Sequence, residues 1–232
     1  MSVTLKILVI LTSHAVIGDT GKPTGLWLEE LTTPYYEFVD AGAQVDIVSI
    51  DGGKVPIDPG SVGSEEKNPE SVNRFLRDKD AMARIDNSKK IAQVSAGDYD
   101  AVFLPGGHGT MFDLPESAAL AALLSDAWAR GKVVAAVCHG PAGLVNMVDA
   151  AGKPAIAGRR VAGFSNSEEE AAGLTKAVPF LLENRLKELG GLYESGPDFR
   201  PFAVRDGNLV TGQNPQSSEE VARLVLEAVG AE

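Results

Sequence analysis

The sequence predicts an α/β protein, a mainly parallel sheet covered by helices, on three observations. Apolar runs bounded by glycine recur along the chain, they are continuous rather than alternating, and segments of helical pattern stand between them. A strand with one wet face alternates polar and apolar residues, whereas a strand buried on both faces, as in a parallel sheet, is apolar throughout.

The expected core strands are Lys6 to Leu11, Gln44 to Ser49, Ala101 to Leu104 and Val133 to Val137. The expected helices are Tyr35 to Ala41, Pro115 to Arg130, and a last one opened by Ser217 and Glu220 at capping-box spacing. In that last helix Val221, Leu224, Val225 and Ala228 share one face, and Gly230 is a stop signal. The stretch from Asp51 to Lys90 has a different texture: Asp-Gly-Gly, prolines around Ile57 and Asp58, then a charged run from Ser71. It reads as an insertion with a long loop and one or two polar helices, the kind of segment that can edge an active site.

With 232 residues, 44% of them hydrophobic, the chain can bury one sizeable core. The expectation is a single domain over 1–232, with the insertion at about 51–90. A net charge of −11 repels phosphate backbones and anionic membranes, so nucleic acid and membrane surfaces are poor partners. The run Ile7 to Leu11 is too short for a membrane span or a signal segment, which suits a cytoplasmic protein. One cysteine excludes an intrachain disulfide, and His14, His108 and His139 have no close ligand spacing, so no metal is expected.

The chemistry concentrates at Val133-Val134-Ala135-Ala136-Val137-Cys138-His139-Gly140-Pro141: a buried strand, a corner of small residues, then an apolar helix. A nucleophile at such a corner stands at the carboxyl end of the sheet, and the next backbone N–H faces the developing oxyanion. A helix N-terminus beneath it would lower the thiol pKa and make thiolate available near neutrality. Cys138 is the expected nucleophile, with His139 beside it as a base. A second glycine corner, Leu104-Pro105-Gly106-Gly107-His108-Gly109, offers the Gly107 amide as the other oxyanion donor. The carboxylates are less distinctive. Glu29 and Glu30 precede Pro34, expected in a helix's first turn, and Glu168, Glu169 and Glu170 form a charged helix start after Ser165 and Ser167.

These residues resemble the ThiJ/PfpI superfamily of the class I glutamine-amidotransferase-like fold, in its glyoxalase III and heat-shock chaperone branch. The resemblance is carried by Thr24-Gly25-Leu26-Trp27-Leu28-Glu29-Glu30-Leu31, by the two glycine corners, by Gly163-Phe164 followed by Glu169-Glu170, and by Leu209-Val210-Thr211-Gly212-Gln213-Asn214-Pro215. It implies a flavodoxin-like three-layer sandwich with a nucleophile elbow, a homodimer, and a cofactor-independent conversion of small dicarbonyls, methylglyoxal and glyoxal, to hydroxy acids without glutathione. It places the acid beside the nucleophile at Glu30 and the acid of a Cys-His-acid triad at Glu169. His139 or Glu30 would shuttle the substrate proton. A chaperone, a protein deglycase, a redox-sensing cysteine protein and a cysteine amidase or peptidase are the competing functions. Glutamine hydrolysis is disfavoured because no downstream His-x-Glu pair is present.

Overall fold

A computed structural model of the chain describes residues 4–230. The ends of the expected 1–232 domain, residues 1–3 and 231–232, lie outside the described residues. Strand β1 (Lys6–Leu11) leads to helix α1 (Leu28–Asp40) and strand β2 (Gln44–Ser49). Helices α2 (Glu70–Arg77) and α3 (Lys79–Asp86) then precede the short β3 (Lys89–Lys90). Next come β4 (Ala101–Leu104), α4 (Thr110–Asp113), α5 (Ala118–Ala129) and β5 (Val133–Val137). After β6 (Arg160–Val161), α6 (Asn166–Ala171), α7 (Leu182–Glu188) and β7 (Leu192–Tyr193), the chain closes with β8 (Ala203–Asp206), β9 (Leu209–Gly212) and α8 (Ser218–Ala228).

The main sheet has the order β3-β2-β1-β4-β5-β9-β8, parallel throughout except for the β8–β9 hairpin, and β6 pairs with β7 in a second, two-stranded sheet. Strands β4, β5 and β9 are buried at every residue, and β1 at all but its first. Their continuous apolar runs therefore have the cause that parallel sheets require, helices covering both faces. Residues from Ile7 to Val225 join one hydrophobic cluster. The strand order reverses between β1 and β4, and the loops at the carboxyl ends of the central strands open onto one crevice. No helix among the described residues is long and apolar enough to cross a membrane.

The four expected core strands lie within the expected bounds, while the helix ends differ. Helix α1 begins at Leu28 rather than Tyr35, and Pro34 sits inside it, not in its first turn. Pro34 removes only the hydrogen bond to the Glu30 carbonyl, and burial of Leu28, Leu31, Tyr35 and Phe38 along one face keeps the helix continuous. The expected helix from Pro115 starts at Ala118, capped by the Ser117 side chain. Ser217 does not cap α8: its hydroxyl is taken by Asn214 Oδ1 and the Phe202 amide, so no capping box forms with Glu220. Gly230 does follow α8 in the left-handed conformation, at φ +75°.

The 51–90 segment is more integrated than a surface insertion. It supplies the edge strand β3, and it buries Val72, Phe75 and Ile85 in the common core. Its first residues brace the entry to α1: the Leu26 amide donates to Pro56 O at 2.8 Å, the Asp58 amide to Leu26 O at 2.9 Å, and Thr24 Oγ1 to Asp58 Oδ2 at 2.8 Å. A side chain on Gly25 would meet Pro56 O at 2.1 Å, so this close passage requires glycine.

Candidate active site

Cys138 follows β5 directly and is held at φ +60°, one of two non-glycine residues among those described with positive φ. An L-residue there costs about 1–3 kcal/mol, which the surroundings must offset. They do so with two backbone bonds: the Cys138 amide donates to Gly212 O of β9 at 3.0 Å, and Cys138 O accepts from the Phe164 amide at 2.8 Å. The corner also presses on β4, since a side chain at Gly140 would stand 2.1 Å from Leu104 O. Beyond the corner the chain forms a short 3₁₀ stretch, Gly140–Leu144, rather than the expected helix, because Pro141 and the glycines favour a tight turn.

Glu30 reaches the sulfur from the first turn of α1. It is fully buried, its Oε2 accepts the Gly106 amide at 2.7 Å, and its Oε1 has no hydrogen-bond partner of standard geometry. Both Glu30 and Cys138 line the same cavity. Gly106 is confined on three sides, for a Cβ there would lie 2.7 Å from Glu30 Oε2, from the His139 amide nitrogen and from Val137 O. Glu29, one residue earlier, is half-buried and does not line the cavity.

His139 Nδ1 lies 3.3 Å from Cys138 Sγ, and its Nε2 lies 2.7 Å from Glu169 Oε2. Neighbouring residues on a regular element diverge; the strained turn is what lets these two side chains meet. Of the three clustered acids, the fold separates the roles. Glu168 closes a capping box with Ser165 and also accepts the Phe199 amide and Asn214 Nδ2, both at 2.8 Å. Glu169 turns to the histidines, and Glu170 is exposed. A second histidine, to which the sequence assigns no role, shares Glu169: His108 Nε2 is 2.7 Å from Oε1. Its signal was its place in the glycine corner after β4, because adjacent parallel strands bring their terminal loops side by side.

The electrostatics correct the expected resting thiolate. Burial pushes the Cys138 thiol well above its ordinary value, and the neighbouring Glu30 and Glu168 add to the rise, against a smaller lowering by the His139 amide. Burial likewise raises Glu30 well above its ordinary value, against the lowering by the Gly106 amide and Cys138. His139 is lowered to about 4, by burial first and then by His108, although Glu169 works the other way. Burial would raise Glu169, but the hydrogen bonds from His108 and His139 prevail and hold it at about 2. An ionised carboxylate only accepts, so both Nε2 atoms carry hydrogen, and on the neutral His139 ring Nδ1 is left as the acceptor. The site at rest is a thiol facing a neutral imidazole.

The cavity over Cys138 holds about 300 Å³ and is walled by Trp27, Phe164, Phe199 and Pro215. Gly107 and His139 border it, and no backbone carbonyl takes either amide among the described residues. Gly107 needs φ +101° and has no room for a Cβ, which would meet Gly25 O at 2.2 Å. The fold also brings together ligand types that the sequence spacing kept apart: the donor atoms of His108, His139 and Glu169 lie within 4.8 Å of one another. In this arrangement both Glu169 oxygens are engaged by the two Nε2 groups.

The chain is 34% identical to the glutathione-independent glyoxalase HSP31 of Saccharomyces cerevisiae, over 97% of this chain and 98% of that protein. It is 33% identical to glyoxalase 3 of Candida albicans, with the same two coverages. Among solved structures, the Rapid Encystment Protein 24 kDa of Francisella tularensis superposes with a TM-score of 0.93 at 40% identity, covering 97% of this chain and 99% of that one. Glyoxalase III of Candida albicans superposes with a TM-score of 0.87 at 32% identity, covering 97% of each chain. The DJ-1/PfpI family model matches residues 24–228, and the chain belongs to the DJ-1/PfpI family.

Proposed function

We propose that the protein is a glutathione-independent glyoxalase that converts methylglyoxal and glyoxal to the hydroxy acid, with Cys138 as nucleophile. The observation that carries this reading is a thiol 3.3 Å from a neutral imidazole base, in a small cavity that also holds a buried carboxyl group whose charged form burial disfavours. Cys138 Sγ forms a bond to the aldehyde carbon as its proton passes to His139 Nδ1. The amides of Gly107 and His139 receive the aldehyde oxygen, which takes up the proton from His139, and His139 or Glu30, whichever is then unprotonated, carries the proton from the first carbon to the second. The hemithioacetal becomes a thioester with no outside oxidant, and water releases the hydroxy acid and the thiol.

Two of the competing functions fit the site less well. A redox sensor needs an exposed thiol of low pKa, whereas Cys138 is 3% exposed with its pKa raised. A peptidase needs an open cleft for a chain. The homodimer expected from the resemblance belongs to the same proposal, as does a single working domain in which residues 51–90 are a structural part.

Purified protein given methylglyoxal alone, with a chelator present, should consume it and release lactate in equal amount. Dependence on added glutathione, or loss on chelation restored by a divalent ion, would overturn the reading. Gly106→Ala should lower kcat by about a hundredfold, because the added methyl displaces Glu30 and the His139 amide by a fraction of an ångström or more. Unchanged kcat in a folded Gly106→Ala protein would deny that this contact sets the catalytic geometry.

A further inference from the structure

Two histidines on one carboxylate is more than a triad requires. Glu169 Oε2 serves His139 and Oε1 serves His108, each at 2.7 Å, and the two rings lie 4.1 Å apart between centroids, tilted by 44°. The two differ in burial. Both line the cavity, but His139 is 1% exposed and lies against Phe164, whose ring centroid is 4.3 Å away, while the His108 side chain is 12% exposed. The charged or titratable groups around His139 come from every side: Cys138 from its own turn, Glu168 and Glu169 from α6, His108 from the loop after β4, and Glu30 behind the sulfur from α1.

We propose that His108 is a positioning residue that shares Glu169 with His139, accepts the first proton given to the pair, and so leaves His139 unprotonated as the base for Cys138. A proton added to the pair goes to the ring that loses less hydration, which is His108, and the ion pair with Glu169 then forms there. A second proton on His139 must enter a buried position beside a cation, with a carboxylate already engaged, so it enters only at lower pH. His108 thereby extends the range over which the thiol proton has an acceptor, and its hydrogen bond also fixes the carboxylate that orients His139. This role rests on the glyoxalase reading only for its purpose; the proton order is a property of the folded chain.

The test is imidazole-nitrogen NMR of the full-length protein across pH, in which only His14, His108 and His139 contribute. In the unaltered protein both His108 and His139 should be Nε2–H tautomers near neutrality, and His108 should titrate first on acidification. In His108→Gln, which keeps an N–H for Glu169 but cannot take a proton, the His139 midpoint should rise by about one unit. In His108→Phe, where Glu169 is left to His139 alone, it should rise at least as far. The acid limb of kcat/KM should move to higher pH with it. An unmoved His139 midpoint in both folded variants, or titration of His139 before His108, would overturn the proposal. Absence of turnover in the unaltered protein would defeat the proposed function while the NMR midpoints still decide this one.

Discussion

Cys138→Ser lowers kcat/KM for methylglyoxal by on the order of a thousandfold or more while the fold is retained. The substitution removes one thing, an ionisable thiol. Because burial raises the Cys138 pKa, the resting group is already protonated, and attack depends on transfer of its proton to His139 Nδ1 as the new bond forms. A serine hydroxyl is a much weaker acid in the same pocket, and no helix of useful length stands behind the corner to assist it. The corner itself is built from the backbone bonds to Gly212 and Phe164 and from the glycine at 140, none of which involve the sulfur. Steady-state kinetics with matched circular dichroism check this. A serine variant that kept more than a small fraction of wild-type turnover would rule out the covalent route.

The second large effect is that of Glu30→Gln, a loss of about a hundred- to a thousandfold in kcat with alkylation of Cys138 by iodoacetamide preserved. Glutamine retains an oxygen for the Gly106 amide and a donor near the sulfur, but it cannot pass a proton on. Glu29→Gln is the matched control and should be nearly silent, since that side chain does not line the cavity. A stability signature accompanies the kinetic one. The Glu30 pKa is raised on folding from its ordinary value of 4.5, so the unfolded chain releases this proton more readily. Stability is therefore lost as pH rises above 4.5, and Glu30→Gln removes the loss. The variant should melt higher than the unaltered protein at neutral pH, with a difference that shrinks toward about pH 4. Equal kinetic behaviour of Glu29→Gln and Glu30→Gln would contradict the role given to Glu30.

The sheet core was legible because its code is local. Runs such as Val133 to Val137 are too uniformly apolar for a half-wet strand, and they pair in register where they were expected to lie. The nucleophile corner was legible for the same reason, since small residues after a buried strand leave few other conformations. Helix starts were less so: Pro34 looked like a boundary, but the burial of Leu28 and Leu31 is a tertiary effect that overrides it. Strands β8 and β9 escaped, although Asp206-Gly207 between them is a hairpin signal and Gly207 takes φ +60°.

The site's acids illustrate the limit more sharply. Glu30 and Glu169 each read as helix-start charges, which they are, and only the resemblance singled them out. Their roles depend on which way a carboxylate turns from its helix, and that is set by Gly106 in one case and by two histidines in the other. His108 was hidden because 61 residues separate it from Glu169. The thiol's protonation state was misjudged for a related reason: the sequence showed a corner and implied a helix dipole, but burial and the neighbouring Glu30 and Glu168 act more strongly than a 3₁₀ turn can.

Covalent passage through Cys138 is tested most directly by peptide-resolved mass spectrometry of the Glu30→Gln protein, quenched in acid shortly after mixing with methylglyoxal. With attack intact and proton transfer slowed, one methylglyoxal equivalent should be found on the peptide that carries Cys138, and it should disappear as lactate forms. Modification confined to lysine and arginine peptides, with Cys138 free throughout turnover, would contradict a covalent intermediate on this residue.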